Sequence, residues 1–301
     1  MPKRTYAVMG ATGQIGQALV QELLKRGHTV RAVGRDAGKL AALKAKGAET
    51  HPTVFNDPKA LAEAFTDAQG IFVMIPPGYG EDDFGAYQDR VGDAIARAIQ
   101  QVKVTHVVSL SSLGAQHAEG TGPIKGLHRQ EQRLNQMSDL NLLHLRPGYF
   151  MENQLCSIPI IKEHGINGSP IPGNLPILMV ATRDIGAKAA ELLDRLNFRG
   201  QSVVELVGPK PVMLEEATGI LGRAIGKPDL KYVQFPEDQA RQAMLGMGMK
   251  PGTADLMLEM YQGFAQGFVA PEGKPEKGKT SFEEFARVFA RAYQSEAVPA
   301  Q

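Results

Sequence analysis

The residues most able to do chemistry open the chain. Gly10-Ala11-Thr12-Gly13-Gln14-Ile15-Gly16 follows a short apolar run, Tyr6-Ala7-Val8-Met9, and opens a helical pattern carried by Ile15, Leu19 and Leu23. Glycines here permit a tight turn and a close backbone approach to a pyrophosphate. The helix that follows offers unpaired N–H groups and the positive end of its dipole. The spacing is GxxGxxG rather than GxGxxG, but it still puts Gly13 at the turn and Gly16 where helix and strand pack. A bare glycine triplet also fits a plain strand-to-helix turn; its place at the head of a βαβ unit is what makes it a nucleotide loop. The second cluster is Val33-Gly34-Arg35-Asp36. NAD-binding sites carry an acidic residue about 20 positions beyond the glycines, on the ribose 2′-hydroxyl. Here a guanidinium comes first. Arg35 could clamp a 2′-phosphate and stack on adenine, with Lys39 one turn further on, so NADPH is expected over NADH. The plainer alternative has Asp36 capping a helix and Arg35 solvated. Asn56 and Asp57 follow the third strand and would lie near the adenine, or Asp57 simply caps the helix ahead of Pro58. Ile75 and Pro76 end the fourth strand and would wall the cleft with apolar surface.

These residues need strands to deliver them. Apolar runs at 6–9, 29–33, 50–55, 70–75, 104–110 and 140–145 read as strands, and helical patterns separate them. Phe84, Tyr87, Val91, Ile95 and Ile99 line one face of the longest helix. Continuous apolar strands between amphipathic helices mean parallel strands covered on both faces. The expected fold class is α/β: a Rossmann-type doubly wound parallel sheet with a smaller α+β C-terminal lobe. The division expected is a nucleotide-binding domain over 1–150 and a substrate lobe over 151–301, interleaved with the first and not independent. In the second half, 165–176 carries three prolines and three glycines and reads as loop. Residues 185–193 and 214–225 read as helices, 203–207 as a strand, 238–268 as Met-rich helices and 271–279 as a charged loop. Ser281 would cap a last helix whose buried face is Phe282, Phe285, Val288, Phe289 and Ala292.

Composition bounds the function. The chain has 301 residues, 33 Lys+Arg against 32 Asp+Glu, and a formal net charge of +1. With neither a basic excess nor a basic stripe, no direct nucleic-acid contact is expected. No apolar run approaches the ~18 residues of a membrane span, so no membrane partner is expected. The single cysteine, Cys156, excludes an intrachain disulfide and a thiolate metal cluster. A reducing, cytoplasmic setting is expected. A buried, inert thiol is the common case for such a residue. The seven histidines show no HxxxH or HExxH spacing, so no catalytic metal is expected.

The glycine loop with Arg35 resembles an atypical short-chain dehydrogenase/reductase. Ser109-Leu-Ser-Ser-Leu-Gly-Ala115, Leu145-Arg-Pro-Gly-Tyr-Phe-Met-Glu-Asn153, Asp184-Ile-Gly186 and Val204-Glu-Leu-Val-Gly-Pro209 narrow the resemblance to the NmrA-like family over essentially the whole chain. That family joins NADPH-dependent reductases of quinones, azo dyes and triphenylmethane dyes to regulators that bind a dinucleotide with little or no turnover. The resemblance implies the fold and an NADP cofactor.

Typical short-chain reductases place Tyr and Lys as YxxxK on the helix after the fifth strand, where the Tyr protonates a nascent alkoxide. Between Ser112 and Leu145 this chain has no tyrosine. An ordinary ketone is thereby disfavoured. A quinone or dye cation takes hydride without that acid, and a cleft holding the nicotinamide against an electron-poor ring suffices through proximity. No flavin motif is visible, so direct transfer is expected. Lys125 and His128 are the candidate catalytic groups: Lys125 to orient a substrate oxygen or the ribose, His128 to supply a proton. Solvated surface positions are their alternative. Ser111 lies where the family's strand-end serines lie and would bond near the nicotinamide, or satisfy local backbone. Tyr149 and Phe150 would flank the nicotinamide or substrate, or pack between the lobes. Met244 and Met247 are open between an adaptable pocket and core. The partners expected are a small aromatic or quinone-like molecule and, on a second reading, a homodimer mate or a regulatory protein. A phenolic-substrate reductase is a third reading and would need Lys125 as its catalytic lysine.

Overall fold

In the computed structural model the structure describes residues 2–295, so the last six residues of the expected lobe lie outside the described residues. The strands are β1 (Thr5–Met9), β2 (Thr29–Gly34), β3 (Glu49–Pro52), β4 (Gly70–Val73), β5 (His106–Leu110), β6 (Asn141–Pro147), β7 (Tyr149–Phe150), β8 (Ile166–Ser169), β9 (Pro176–Ile177), β10 (Met179–Val180), β11 (Gln201–Val207), β12 (Val212–Met213), β13 (Lys231–Gln234) and β14 (Glu276–Lys277). The helices are α1 (Gln14–Lys25), α2 (Ala37–Lys44), α3 (Pro58–Phe65), α4 (Phe84–Val102), α5 (Ile124–Asn135), α6 (Ile158–His164), α7 (Thr182–Arg195), α8 (Leu214–Ala224), α9 (Glu237–Gly246), α10 (Pro251–Ala265) and α11 (Phe282–Gln294), with a 3₁₀ helix over Met151–Ser157.

Eight strands form one sheet in the order β14-β11-β6-β5-β4-β1-β2-β3, every neighbouring pair parallel. This is the doubly wound α/β sheet expected. The alternation of side chains along each strand divides its apolar residues between two cores. Tyr6, Val8, Phe72 and Val108 face one side, under α1, α2 and α7. Ala7, Met9, Ile71, Val73 and Val107 face the other, under α3, α4 and α5. Both faces are dry, which is why these strands read as unbroken apolar runs.

The second half supplies α7, β11 and β14 to this layered body. It also builds a third core from Ile158, Ile161, Leu214, Leu221, Phe282, Phe285 and Phe289. Ser281 accepts from Glu284 N–H and forms a capping box, so α11 begins where expected. Val288 departs from expectation: it is 37% exposed. It lies one position before Phe289, turned about 100° away from it, and so falls off the buried face. The expected loop over 165–176 contains β8, because Ile166–Ser169 pairs in parallel with Lys231–Gln234. The expected loop over 271–279 contains β14, which adds to the sheet at Leu206 and Val207. The third strand is shorter than expected and ends at Pro52, opposite Gly34 where its partner β2 ends. Among the described residues, no helix is long and apolar enough to cross a membrane.

Candidate functional site

The strand order reverses between β1 and β4. In an open parallel sheet the crevice beyond the carboxyl ends at that reversal is where ligands sit. The turn after β1 is tight: Gly13 N–H donates to Gly10 O at 3.0 Å, and Ala11 N–H donates to Val33 O at 3.1 Å. Gly10 has φ +71°, the left-handed region. A Cβ on Gly16 would lie 2.2 Å from Gly10 O and 2.7 Å from Ala11 Cα, so only glycine lets α1 come this close to β1.

Capping separates α1 from the three helices that follow it, although α5 and α7 are also without a side-chain cap. Asp36 caps α2, Asp57 caps α3 and Asp83 caps α4, each accepting from first-turn N–H groups. No side chain caps α1, whose capping position is Gly13 and whose first turn has no acidic residue. Its orphan N–H groups and dipole end therefore face the crevice unspent, which is the arrangement a pyrophosphate fits. Thr12 accepts from Gln17 Nε2 through its carbonyl at 2.8 Å, which steadies the turn. Gln14 is exposed, while Ile15 anchors the helix in the core.

The loop is also tied to the second half. Thr182 Oγ1 donates to Glu152 Oε1 at 2.7 Å and stands 3.3 Å from the Gln14 side-chain amide, and Glu152 also accepts the Thr182 N–H. Burial pushes the Glu152 carboxyl up, with the Thr182 bonds pulling against it. Glu152 belongs to the Arg-Pro-Gly-Tyr-Phe-Met-Glu-Asn stretch, and this bond set is its visible role.

Arg35 is exposed at the end of β2, and its guanidinium carbon stands 5.9 Å above the centre of the Phe55 ring. Asp36 is turned away, accepting from Lys39 N–H at 3.0 Å. Asp57 accepts from Lys59 and Ala60 N–H, so it acts as the helix cap, and Asn56 stays exposed at the same edge. Pro76 is buried and Ile75 packs partly into the second core.

At the other end of the edge, Ser111 Oγ donates to Glu131 Oε1 at 2.5 Å. Arg146 grips the same carboxylate through Nε at 2.9 Å and Nη2 at 2.6 Å, and reaches Glu272 through Nη1 at 2.6 Å. Burial alone would raise the Glu131 carboxyl. The Arg146 bonds, with His144 and the Ser111 hydroxyl adding, overcome that and hold it below the usual range. With its proton given to Glu131, Ser111 is left able to accept rather than donate.

The two candidate catalytic groups on α5 are occupied by structure. Lys125 Nζ lies 2.7 Å from Glu259 Oε2 on α10 and 3.8 Å from Glu119. His128 Nδ1 is 2.8 Å from Ala115 O, a contact that needs the hydrogen on Nδ1. That bond orients the ring and leaves Nε2 as its other polar atom. Tyr149 and Phe150 diverge: Phe150 packs on the α1/α7 core, and Tyr149 joins the lobe, 5.7 Å edge-on from Phe264. Tyr261 lies within electrostatic reach of Tyr79, Tyr149, Tyr232 and Cys156. Burial first, then Tyr79, pushes the Tyr261 phenol up to about 12. Against expectation Cys156 is exposed, because it sits on a 3₁₀ helix whose inward positions are taken by Met151, Gln154 and Leu155. Met244 is buried and Met247 is 78% exposed. Among the described residues, no group of three or more His, Cys, Asp or Glu could hold a metal.

Phe55, Glu131, Arg146, Glu152, Thr182 and Tyr261 carried no assigned role in the sequence reading. Arg146 and Glu152 had a signal, since both fall within the stretch most specific to the resemblance. Glu131 and Thr182 had none, because their partners lie on other elements.

Fold and crevice together define a dinucleotide-binding protein of the doubly wound parallel class. The chain belongs to the NmrA-like family, whose model matches residues 2–285. It is similar to the NAD(P)H azoreductase of Xenophilus azovorans, 29% identical over 294 residues, 95% of this chain and 98% of that protein. It is also similar to quinone oxidoreductase 2 of Escherichia coli, 25% identical over 272 residues, covering 89% and 91%. Among solved structures, the negative transcriptional regulator NmrA in complex with NADP superposes with a TM-score of 0.70 at 17% identity, covering 98% of this chain and 99% of that one.

Proposed function

We propose that this chain is an NADPH-dependent reductase that passes hydride directly to a quinone or a similarly electron-poor aromatic ring. The observation that carries the reading is the contrast between the two ends of the crevice. At one end stand the uncapped start of α1 and the unspent Arg35 charge. Against it, in the lobe, stand Tyr149 and Phe264, with Lys125 paired to Glu259 and His128 bonded to Ala115 O through Nδ1. The azoreductase and quinone oxidoreductase names of the relatives support the same chemistry.

The first-turn N–H groups of α1 would hold the pyrophosphate, and Arg35 the 2′-phosphate. Ile75 and Pro76 would exclude water from one wall, and Ser111, as an acceptor, would receive an N–H or O–H of the nicotinamide half. When bound, the nicotinamide supplies the hydride. Tyr149 and Tyr261 would position the acceptor ring. A quinone that gains a hydride becomes an aromatic oxyanion whose charge is delocalised, so solvent can supply the remaining proton without a chain acid near pH 7.

A second reading, a dinucleotide sensor acting through protein contacts, is favoured by the same held state of Lys125 and His128 and by the fold shared with a transcriptional regulator. A fluorescence titration with NADPH and with NADH, followed by 1,4-benzoquinone in the same cuvette, separates the two. The reductase binds NADPH more tightly and loses the nicotinamide signal at a protein-dependent rate. Tight binding with no loss across several quinones and azo dyes would leave the sensor.

A further inference from the structure

Arg35 is a long side chain at an exposed edge, and among the described residues it makes neither hydrogen bond nor ion pair. Its guanidinium carbon lies over the Phe55 ring, 5.9 Å from the centroid, and its charge reaches the Tyr87 phenol. Phe55 itself is fixed. It is 6% exposed and packs in the core beneath α3. The residues after it are pinned by the Asp57 cap, which accepts from Lys59 and Ala60 N–H. A buried ring thus lies beneath an exposed cation, within cation–π range. A guanidinium lying on a ring keeps its opposite face and its N–H edge free, the two surfaces needed to stack on a base and fork a phosphate.

We propose that Phe55 is a positioning residue for cofactor discrimination: its ring holds Arg35 ready at the adenosine end, so preference for NADPH over NADH depends on Phe55 as well as on Arg35. This rests on the reading of Arg35 as the 2′-phosphate clamp. Without the ring, Arg35 keeps its charge but must be ordered at the moment of binding, and that cost falls chiefly on NADPH, whose 2′-phosphate needs the N–H fork held in one plane while adenine stacking, open to both cofactors, tolerates a looser fit. NADH has no 2′-phosphate to gain from it.

The test compares dissociation constants for NADPH and NADH, by nicotinamide fluorescence, in wild type, Phe55→Leu, Phe55→Tyr and Arg35→Ala. Phe55→Leu keeps apolar filling and removes the π face; Phe55→Met serves if the Leu variant does not fold. The expected result is a fall in the NADPH/NADH preference of about fivefold in Phe55→Leu, the size of an exposed cation–π contact. NADH affinity should stay within about twofold, and Phe55→Tyr should keep the wild-type preference. Equal weakening of both cofactors, or no change in either, would overturn the proposal while leaving Arg35 standing if Arg35→Ala still loses preference. An unchanged preference in Arg35→Ala would instead overturn the clamp, and the role of Phe55 with it.

Discussion

Lys125 and His128 are the residues whose chemistry looked most useful and whose surroundings give them other work. Lys125 Nζ bonds Glu259, whose other oxygen accepts the Gly120 N–H, so the lysine joins the start of α5 to α10. A general acid contributes about 10²–10⁴-fold to a rate, whereas a partly exposed ion pair is worth about 1 kcal/mol or less. Lys125→Ala is therefore expected to keep turnover with benzoquinone within about threefold, far short of an acid's loss, and to lower stability by about 1 kcal/mol. Steady-state kinetics beside a urea melt measures both. A drop of about 100-fold with unchanged stability would restore Lys125 as a catalytic group and reopen the phenolic-substrate reading.

Between elements, the Glu131 network is the strongest joint. Arg146 on β6, Glu131 on α5, Ser111 after β5 and Glu272 in the loop before β14 meet in one bonded set, and Glu205 on β11 accepts the Glu272 and Gly273 N–H groups. Breaking a buried ion pair by removing one charge costs about 3–5 kcal/mol. The Glu131 carboxyl lies below its usual range when folded, so its stabilisation is full above about pH 4.3 and is lost as pH falls through the lowered value. Glu131→Gln should be less stable than wild type by about 3 kcal/mol at pH 7, and the gap should narrow steadily below about pH 5. Urea midpoints across that range test this, and a gap that stays constant with pH would contradict it. Glu152, held up by burial, carries the opposite sign.

Elements with local signals were legible in the sequence: the apolar strands, the glycine loop, and the caps at Asp36, Asp57 and Ser281. β8 and β14 were not, because each owes its extended form to a partner far along the chain. The site divides in the same way. Arg35 could be read from its place after a strand. The Glu131–Arg146 pair and the link from Thr182 to Gln14 could not, since they join residues 15 and 168 positions apart.

At the scale of the molecule, the sheet sets out one function along one edge. The strand-order reversal opens a crevice between β1 and β4. The first half brings the uncapped start of α1 and the exposed Arg35 to the carboxyl edge, and the second half builds the core on which Tyr149, Tyr261 and Phe264 pack. The second half also supplies strands β11 and β14 of the sheet, and its Thr182 stands 3.3 Å from Gln14, so the glycine loop and the second half pack together. Such an arrangement needs no acid of its own if the acceptor stabilises the charge it receives. Single-turnover oxidation of NADPH by 1,4-benzoquinone, with no flavin added, tests this most directly. The NADPH carries deuterium at the transferable carbon, first on one face and then on the other. Direct transfer from a fixed cofactor predicts protein-dependent oxidation that slows with one label and not the other. Bound NADPH that is never oxidised, or equal rates with both labels, would contradict it.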